Sequence, residues 1–220
     1  MNVNADFARR VLVHAKQLPW TPSPMPGVER RMLDRVGGEV ARATSIVRYA
    51  PESCFSPHVH GGGEELLVLE GIFSDENGDY PVGSYLRNPP TSRHTPASRM
   101  GCTLFVKLWQ FDLHDRTYVR LDTASLGFEA AIDRAGVEVK LLFADEREEV
   151  RIERWAPGTA VALSGHQGLE VLGLEGSFIV DNDELEAQSW LRLPKDTSLE
   201  AIAGPLGCRV WMKVGSSAVR

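Results

Sequence analysis

The spacing of apolar positions changes early in the chain. Phe7, Val11, Leu12, Ala15 and Leu18 recur at three- and four-residue intervals, which predicts a short helix over residues 5 to 18, stopped by Pro19. Residues 20 to 27 carry Pro22, Pro24 and Pro26 and read as an extended arm. From residue 28 onward the pattern shortens to brief apolar runs broken by Gly, Pro, Asn and Asp. Strands are predicted at Val40 to Tyr49, Leu66 to Leu69, Tyr85-Leu86 and Thr103 to Phe111, with a hairpin turn at Asn77-Gly78. Many short strands and few helical windows predict an all-β chain built of sandwiches or barrels.

The pattern also repeats. Arg48-Tyr49-Ala50-Pro51 returns as Arg154-Trp155-Ala156-Pro157, and Leu69-Glu70-Gly71 returns as Leu174-Glu175-Gly176. Ser84-Tyr85-Leu86-Arg87 returns as Ser189-Trp190-Leu191-Arg192, and Gly101-Cys102 with Lys107 as Gly207-Cys208 with Lys213. Order is kept and the offset stays at 105 or 106 residues (71 to 176, 101 to 207), so a β domain is duplicated. The expected division is a helix and arm at 1–27, a first domain at 28–115, a join at 116–136 and a second domain at 137–220. Within the join, Leu126 to Ala131 reads as linker or a short helix.

Composition narrows the function. The chain has 220 residues, 43% of them hydrophobic, enough for a sizeable core. A net charge of -6 argues against nucleic-acid binding, which needs clustered Lys and Arg. No apolar run reaches the roughly 18 residues of a membrane span, and the first twenty residues lack the apolar stretch of a secretion signal. Three widely spaced cysteines, Cys54, Cys102 and Cys208, do not form a disulfide framework, so a cytoplasmic location is expected.

The candidate chemistry lies in the first repeat. His58 and His60 stand at i and i+2, on one face of an extended strand. Glu64 follows a glycine turn, and His94 comes thirty residues later. Three imidazoles and a carboxylate are a borderline ligand set for Fe, Mn, Ni, Cu or Zn. Such a set leaves a divalent cation near +1, with open positions if the metal takes five or six ligands, or a closed site if zinc takes four. Glu65 reads as the solvent side of its strand, with a supporting role behind the ligands as the alternative. Arg87 and Lys107 recur in both repeats and read as structural, with Glu70 and Glu175 as candidate ion partners. Tyr49, Phe55, Tyr85 and Trp109 are core aromatics or cavity lining, and Cys102 and Cys208 read as buried apolar residues. No acid, base or substrate-binding residue outside the ligand set stands out, so the catalytic residues are unknown. In the second repeat Leu199 stands where His94 stood, and no histidine pair precedes Gly176. Only His166 and Glu170 remain, with Glu170 aligning better with Glu65 than with Glu64, so one metal per chain is expected.

These spacings resemble the two motifs of the cupin superfamily: His58-Val59-His60, Glu64 and Gly71, then Gly83, Pro89 and His94. More narrowly, Gly62-Gly63-Glu64-Glu65, Gly78-Asp79-Tyr80-Pro81, Tyr85 to Pro90 and Gly101 to Leu108 resemble the ChrR-like cupin family. The resemblance implies tandem double-stranded β-helix jelly rolls, a bicupin, with the metal on His58, His60, Glu64 and His94, and zinc as the family's metal. ChrR is an anti-sigma factor that adds a helical zinc domain with a Cys-x-x-Cys pair. This chain has no such pair, so sigma binding does not carry over. The function implied is a sensory, regulatory or small-ligand-binding module, with a small ligand or oxidant at the metal and a regulatory protein or a second protomer as partner. The alternative is an Fe(II)-type dioxygenase that cleaves a diketone or aromatic ketone. A purely structural zinc site is a third reading.

Overall fold

The computed structural model describes residues 1–38 and 40–215. It is almost wholly β and divides into two compact units. The first comprises residues 1–5 and 18–125, and the second residues 6–17 and 126–220.

The main sheet of the first unit runs, edge to edge, through Val119–Asp122, Ser84–Asn88, Glu64–Asp75, Cys102–Leu108, Ala41–Tyr49, Val28–Gly37 and Thr21–Pro22. That of the second unit runs through Val11–His14, Ser189–Leu193, Leu169–Val180, Leu199–Gly215, Glu148–Trp155, Val137–Ala144 and Glu129–Ala130. The two orders correspond place by place. Register corresponds too: Gly71 faces Cys102 and Glu65 faces Lys107 in the first, while Gly176 faces Cys208 and Glu170 faces Lys213 in the second. The sequence repeat is therefore a repeat of strand order and pairing.

Alternation along these strands sends one set of side chains into each unit's interior. In the first unit the interior set is Leu66, Val68, Phe73, Leu86, Cys102, Leu104 and Val106. The opposite face is equally buried: Leu67, Tyr85 and Phe105 are at most 2% exposed. Glu65, Arg87 and Lys107 share that face and are also buried, which corrects the reading of Glu65 as a solvent-facing residue. The apolar run Leu66 to Leu69 signals a strand covered on both sides, and Glu65 goes in with it.

Buried charge is tolerated only when partnered. Glu65 accepts a hydrogen bond from the Tyr85 hydroxyl at 2.7 Å and lies 3.9 Å from Arg87. Arg87 donates to Asp115 at 3.1 Å, and Lys107 to the Thr44 hydroxyl at 3.0 Å. The expected partners of Arg87 and Lys107 are otherwise engaged: Glu70 accepts from Thr103, and Glu175 pairs with Arg209. In the second unit Trp190 donates to Glu170 at 3.2 Å and Lys213 pairs with Glu148 at 2.8 Å.

The predicted N-terminal helix is absent. Val11–His14 is a strand, followed by a 3-10 turn at Ala15–Gln17. It pairs antiparallel with Ser189–Arg192, and Leu12 packs against the second unit's core. The open edge of Ser189–Leu193 needs hydrogen-bond partners, and the β-branched Val11 and Val13 suit a strand better than a helix. The helical spacing of five apolar residues loses to that non-local pairing. The expected join is likewise structured: Val119–Asp122 closes the first sheet's edge, a 3-10 turn covers Thr123–Ser125, and Glu129–Ala130 pairs with Val139 and Glu138.

Gly71 and Gly176 each lie two residues beyond the same bulge, at Leu69 and Leu174. Both have positive φ (71° and 67°), and a Cβ on either would lie 2.1 Å from the carbonyl oxygen of Gly101 or Gly207. Gly71→Ala and Gly176→Ala should each cost about 2 kcal/mol or more, measured by urea denaturation. A second expectation concerns Glu153, whose side chain is fully buried and accepts from Arg134 twice at 2.8 Å, from Arg151 at 2.6 Å and from the Trp155 indole at 2.6 Å. Burial pushes its carboxyl up, but the Arg134 hydrogen bonds and the Arg151 charge outweigh that and leave it below the ordinary carboxylate value. A depressed folded pKa stabilises above the unfolded value and is lost as pH falls through the folded one. Glu153→Gln should therefore cost about 3 kcal/mol at pH 7, and the gap to wild type should close below about pH 4. Urea midpoints collected across pH 3 to 7 test the sign.

Candidate metal centre

Two of the four predicted ligands ride on one small ladder, and a third follows it directly. His58–Val59 pairs antiparallel with Arg93–His94, so His58 sits directly opposite His94. His60 follows, its N–H bonded to the Ser92 carbonyl at 2.9 Å. The chain then turns through Gly61, Gly62 and Gly63 into Glu64, the first residue of the long strand Glu64–Asp75. The turn lies against two aromatic rings: a Cβ on Gly62 would come within 2.3 Å of the Trp109 indole, and one on Gly63 within 2.5 Å of Phe111. Only glycine passes this close, and the tight turn brings Glu64 back beside His60. Trp109 adopts a positive φ of 60° there and donates its N–H to the Gly63 carbonyl at 3.1 Å.

His58, His60 and His94 each offer a ring nitrogen, and these lie within 4.8 Å of one another. Glu64 Oε2 stands 3.5 Å from His60 Nε2 and 3.6 Å from His94 Nε2. The Asn88 amide donates to the same oxygen at 3.1 Å. His60 and His94 are buried, and His58 is half-buried at the rim. The Nε2 atoms of His60 and His94 are buried with no hydrogen-bond partner. Orphaned buried nitrogens cost roughly 1–3 kcal/mol each, and two of them beside a carboxylate are what a cation would satisfy. Burial lowers the His60 pKa, with Glu64 opposing and His94 adding to the shift, a direction that favours the neutral, coordinating imidazole. The donor set fits a divalent transition metal.

The surrounding aromatics divide by face. Tyr49 packs edge-on against Phe55 (4.9 Å) and Phe73 (6.1 Å), and Phe73 lies 5.8 Å from the His94 ring. Tyr49 packs against the interior cluster, on the histidine side, and burial followed by the charge of Glu64 raises its hydroxyl pKa. Tyr85 belongs to the opposite face with Glu65. Trp109 covers the glycine turn and is 41% exposed. Burial pushes the Cys102 thiol up to about 11 and the Cys208 thiol up to about 12, so neither supplies a thiolate near neutral pH.

Two residues near the site escaped the sequence reading. Asn88 lies two positions past Leu86 on the same strand face, so alternation alone could have placed it inside. Asp75, 3.6 Å from His94 Nδ1, looked like an ordinary turn residue.

Among its described residues the second unit has no such constellation. The positions of His58, His60, Glu64 and His94 are held by Leu163, Gly165, Leu169 and Leu199, and Leu163 pairs with Leu199 as His58 pairs with His94. Leu169 and Leu199 are core residues. His166 is buried but joins no ligand group among the described residues, and Glu170 is held by Trp190.

A family model described as the ChrR Cupin-like domain matches residues 8–112. No curated protein matches the chain. Among solved structures, a candidate dioxygenase from Nostoc punctiforme aligns with a TM-score of 0.81 at 14% identity, over 97% of this chain and 85% of that one. The bacterial pirin YhhW from Escherichia coli, in complex with nickel(II), aligns at 0.69 and 12% identity, over 96% and 100%. A Cupin 2 conserved barrel domain protein from Leptotrichia buccalis aligns at 0.61 and 13%, over 97% and 99%. At these identities the likeness is one of fold. The chain has the fold of these cupin structures, and its residues 8–112 match the ChrR Cupin-like domain.

Proposed function

We propose that the chain binds one divalent transition metal through His58, His60, Glu64 and His94 and acts as a regulatory or small-ligand-binding module whose signal is read at that metal. The observation that carries this reading is the pair of buried, unpartnered Nε2 atoms of His60 and His94, each within 3.6 Å of the Glu64 carboxylate. His60 and His94 are the buried ligands, Glu64 supplies the neutralising charge, and Asn88 fixes its oxygen. His58 is the half-buried one of the three histidines, and so the ligand nearest solvent. The bound metal supplies positive charge and open coordination positions for an oxygen donor. Zinc follows from the ChrR likeness, and iron, manganese and nickel suit the same donors. On this reading the chain is a cytoplasmic bicupin whose second unit keeps the fold and has lost the site.

A second reading, a dioxygenase that cleaves a diketone or aromatic ketone, draws on the solvent-side access at His58 and on the description of the Nostoc punctiforme neighbour.

Elemental analysis should find one equivalent of metal per chain. His60→Ala and His94→Ala should each lose tight binding, and two equivalents, or retention by both variants, would contradict the assignment. Saturation at a hundred times Kd should stabilise the folded protein by about 2.7 kcal/mol over the metal-free form. The two functional readings separate with the iron(II)-loaded protein. Sustained oxygen uptake with a panel of diketones and aromatic ketones selects the enzyme. A change in oligomeric state or partner binding on metal removal or oxidation, without turnover, selects the regulatory module.

A further inference from the structure

Asp75 closes the strand that begins at Glu64, and its side chain is fully buried. Its two oxygens have different surroundings. Oδ1 accepts the Asn77 N–H at 2.7 Å and the Tyr80 hydroxyl at 3.1 Å, the ordinary work of a turn aspartate. Oδ2 is buried with no hydrogen-bond partner and faces His94 Nδ1, itself buried and unpartnered, at 3.6 Å. Turn formation accounts for one oxygen and leaves the other unexplained. From that position a shift of about half an ångström makes an N–H to carboxylate hydrogen bond.

The second unit supplies an independent observation. The strands Glu64–Asp75 and Leu169–Val180 are both twelve residues long and carry the same bulge, so Asp75 corresponds to Val180, and Tyr80 on the next strand to Leu185. Both are buried in the apolar core with Leu169, Leu193 and Leu199, which stand for Glu64, Asn88 and His94. By contrast Glu65, Arg87 and Lys107 persist as Glu170, Arg192 and Lys213. Within one chain, the carboxylate and the tyrosine are absent where the histidine site is absent, while Glu65, Arg87 and Lys107 keep their counterparts.

Building on the metal assignment above, we infer that Asp75 is a positioning residue for His94. Its Oδ2 accepts the Nδ1 proton, which fixes the tautomer that turns an Nε2 lone pair toward His60 and Glu64. Tyr80 holds Asp75 in place through Oδ1, and Arg120 in turn donates to the Tyr80 hydroxyl at 3.1 Å. A carboxylate behind a coordinating imidazole orients the ring and raises its basicity.

The test uses the full chain, with zinc(II) as the probe. Long-range proton–nitrogen correlation on metal-free, 15N-histidine-labelled protein reads the His94 tautomer, and competition with a chromophoric chelator reads zinc affinity. Wild type should show the Nδ1–H tautomer. Asp75→Asn should weaken zinc binding about 10-fold and Asp75→Val, which copies the second unit, about 100-fold, with His94 moving toward the Nε2–H tautomer. If Asp75→Val does not fold, Asp75→Asn and Tyr80→Phe carry the test, the latter with a smaller loss in the same direction. An Nε2–H tautomer in wild type, or folded variants with unchanged tautomer and affinity, would overturn the inference. A wild type that binds no zinc yet holds the Nδ1–H tautomer through Asp75 would sink the metal assignment and leave the pairing standing.

Discussion

Polar side chains inside a small β-barrel must be satisfied, and the first unit of this protein places His60, Glu64, Asn88 and His94 in its interior. Hydrogen bonds account for part of the set: Asn88 serves one oxygen of Glu64. They do not account for the Nε2 atoms of His60 and His94. Leaving such groups without partners costs stability that a barrel with an apolar alternative has no reason to forgo. The second unit demonstrates the alternative, because it fills the positions of Glu64, Asn88 and His94 with leucine. The polar interior is therefore a cost in stability, and a cation held as proposed above would offset it.

The two units also separate what the fold needs from what the site needs. Each keeps the bulge, the glycine beyond it and a buried acidic and basic set on the outer sheet face: Glu65, Arg87 and Lys107 in one, Glu170, Arg192 and Lys213 in the other. Those charges sit at equivalent strand positions and are partnered whether or not the barrel holds histidines. They belong to the packing of a sheet buried on both faces, and their recurrence beside an apolar interior shows that packing and chemistry are independent here.

The sequence made much of this legible because the signals were local or repeated. The i, i+2 histidines, the glycine turn before Glu64 and the 105-residue offset all survive as spacing along the chain. Non-local features were illegible. Val11–His14 reads as helix until the open edge at Ser189–Leu193 is known to exist, since nothing near residue 11 announces a partner near residue 190. Glu65 reads as surface because a charged residue at a strand start usually is, and its burial depends on Tyr85, Arg87 and whatever covers that face. Asp75 was hidden by a conventional turn role that uses only one of its oxygens.

The placement of the ligands bears on what a bound metal does to this protein. His58 and His94 lie on a two-stranded ladder, each strand two residues long, that is separate from the ten-stranded sheet of the same unit. His60 is tied to that segment by bonds to Thr91 and Ser92. Glu64 alone sits on the main sheet. A ladder this short has little stability of its own, and the Nε2 atoms of His94 on it and of His60 beside it have no hydrogen-bond partner. A cation held by all four residues, as proposed, would tie the ladder to the sheet, so the order of this segment would depend on occupancy and on the state of the metal. That coupling would suit the proposed module, one that reports a ligand or an oxidant by loosening or tightening one local segment.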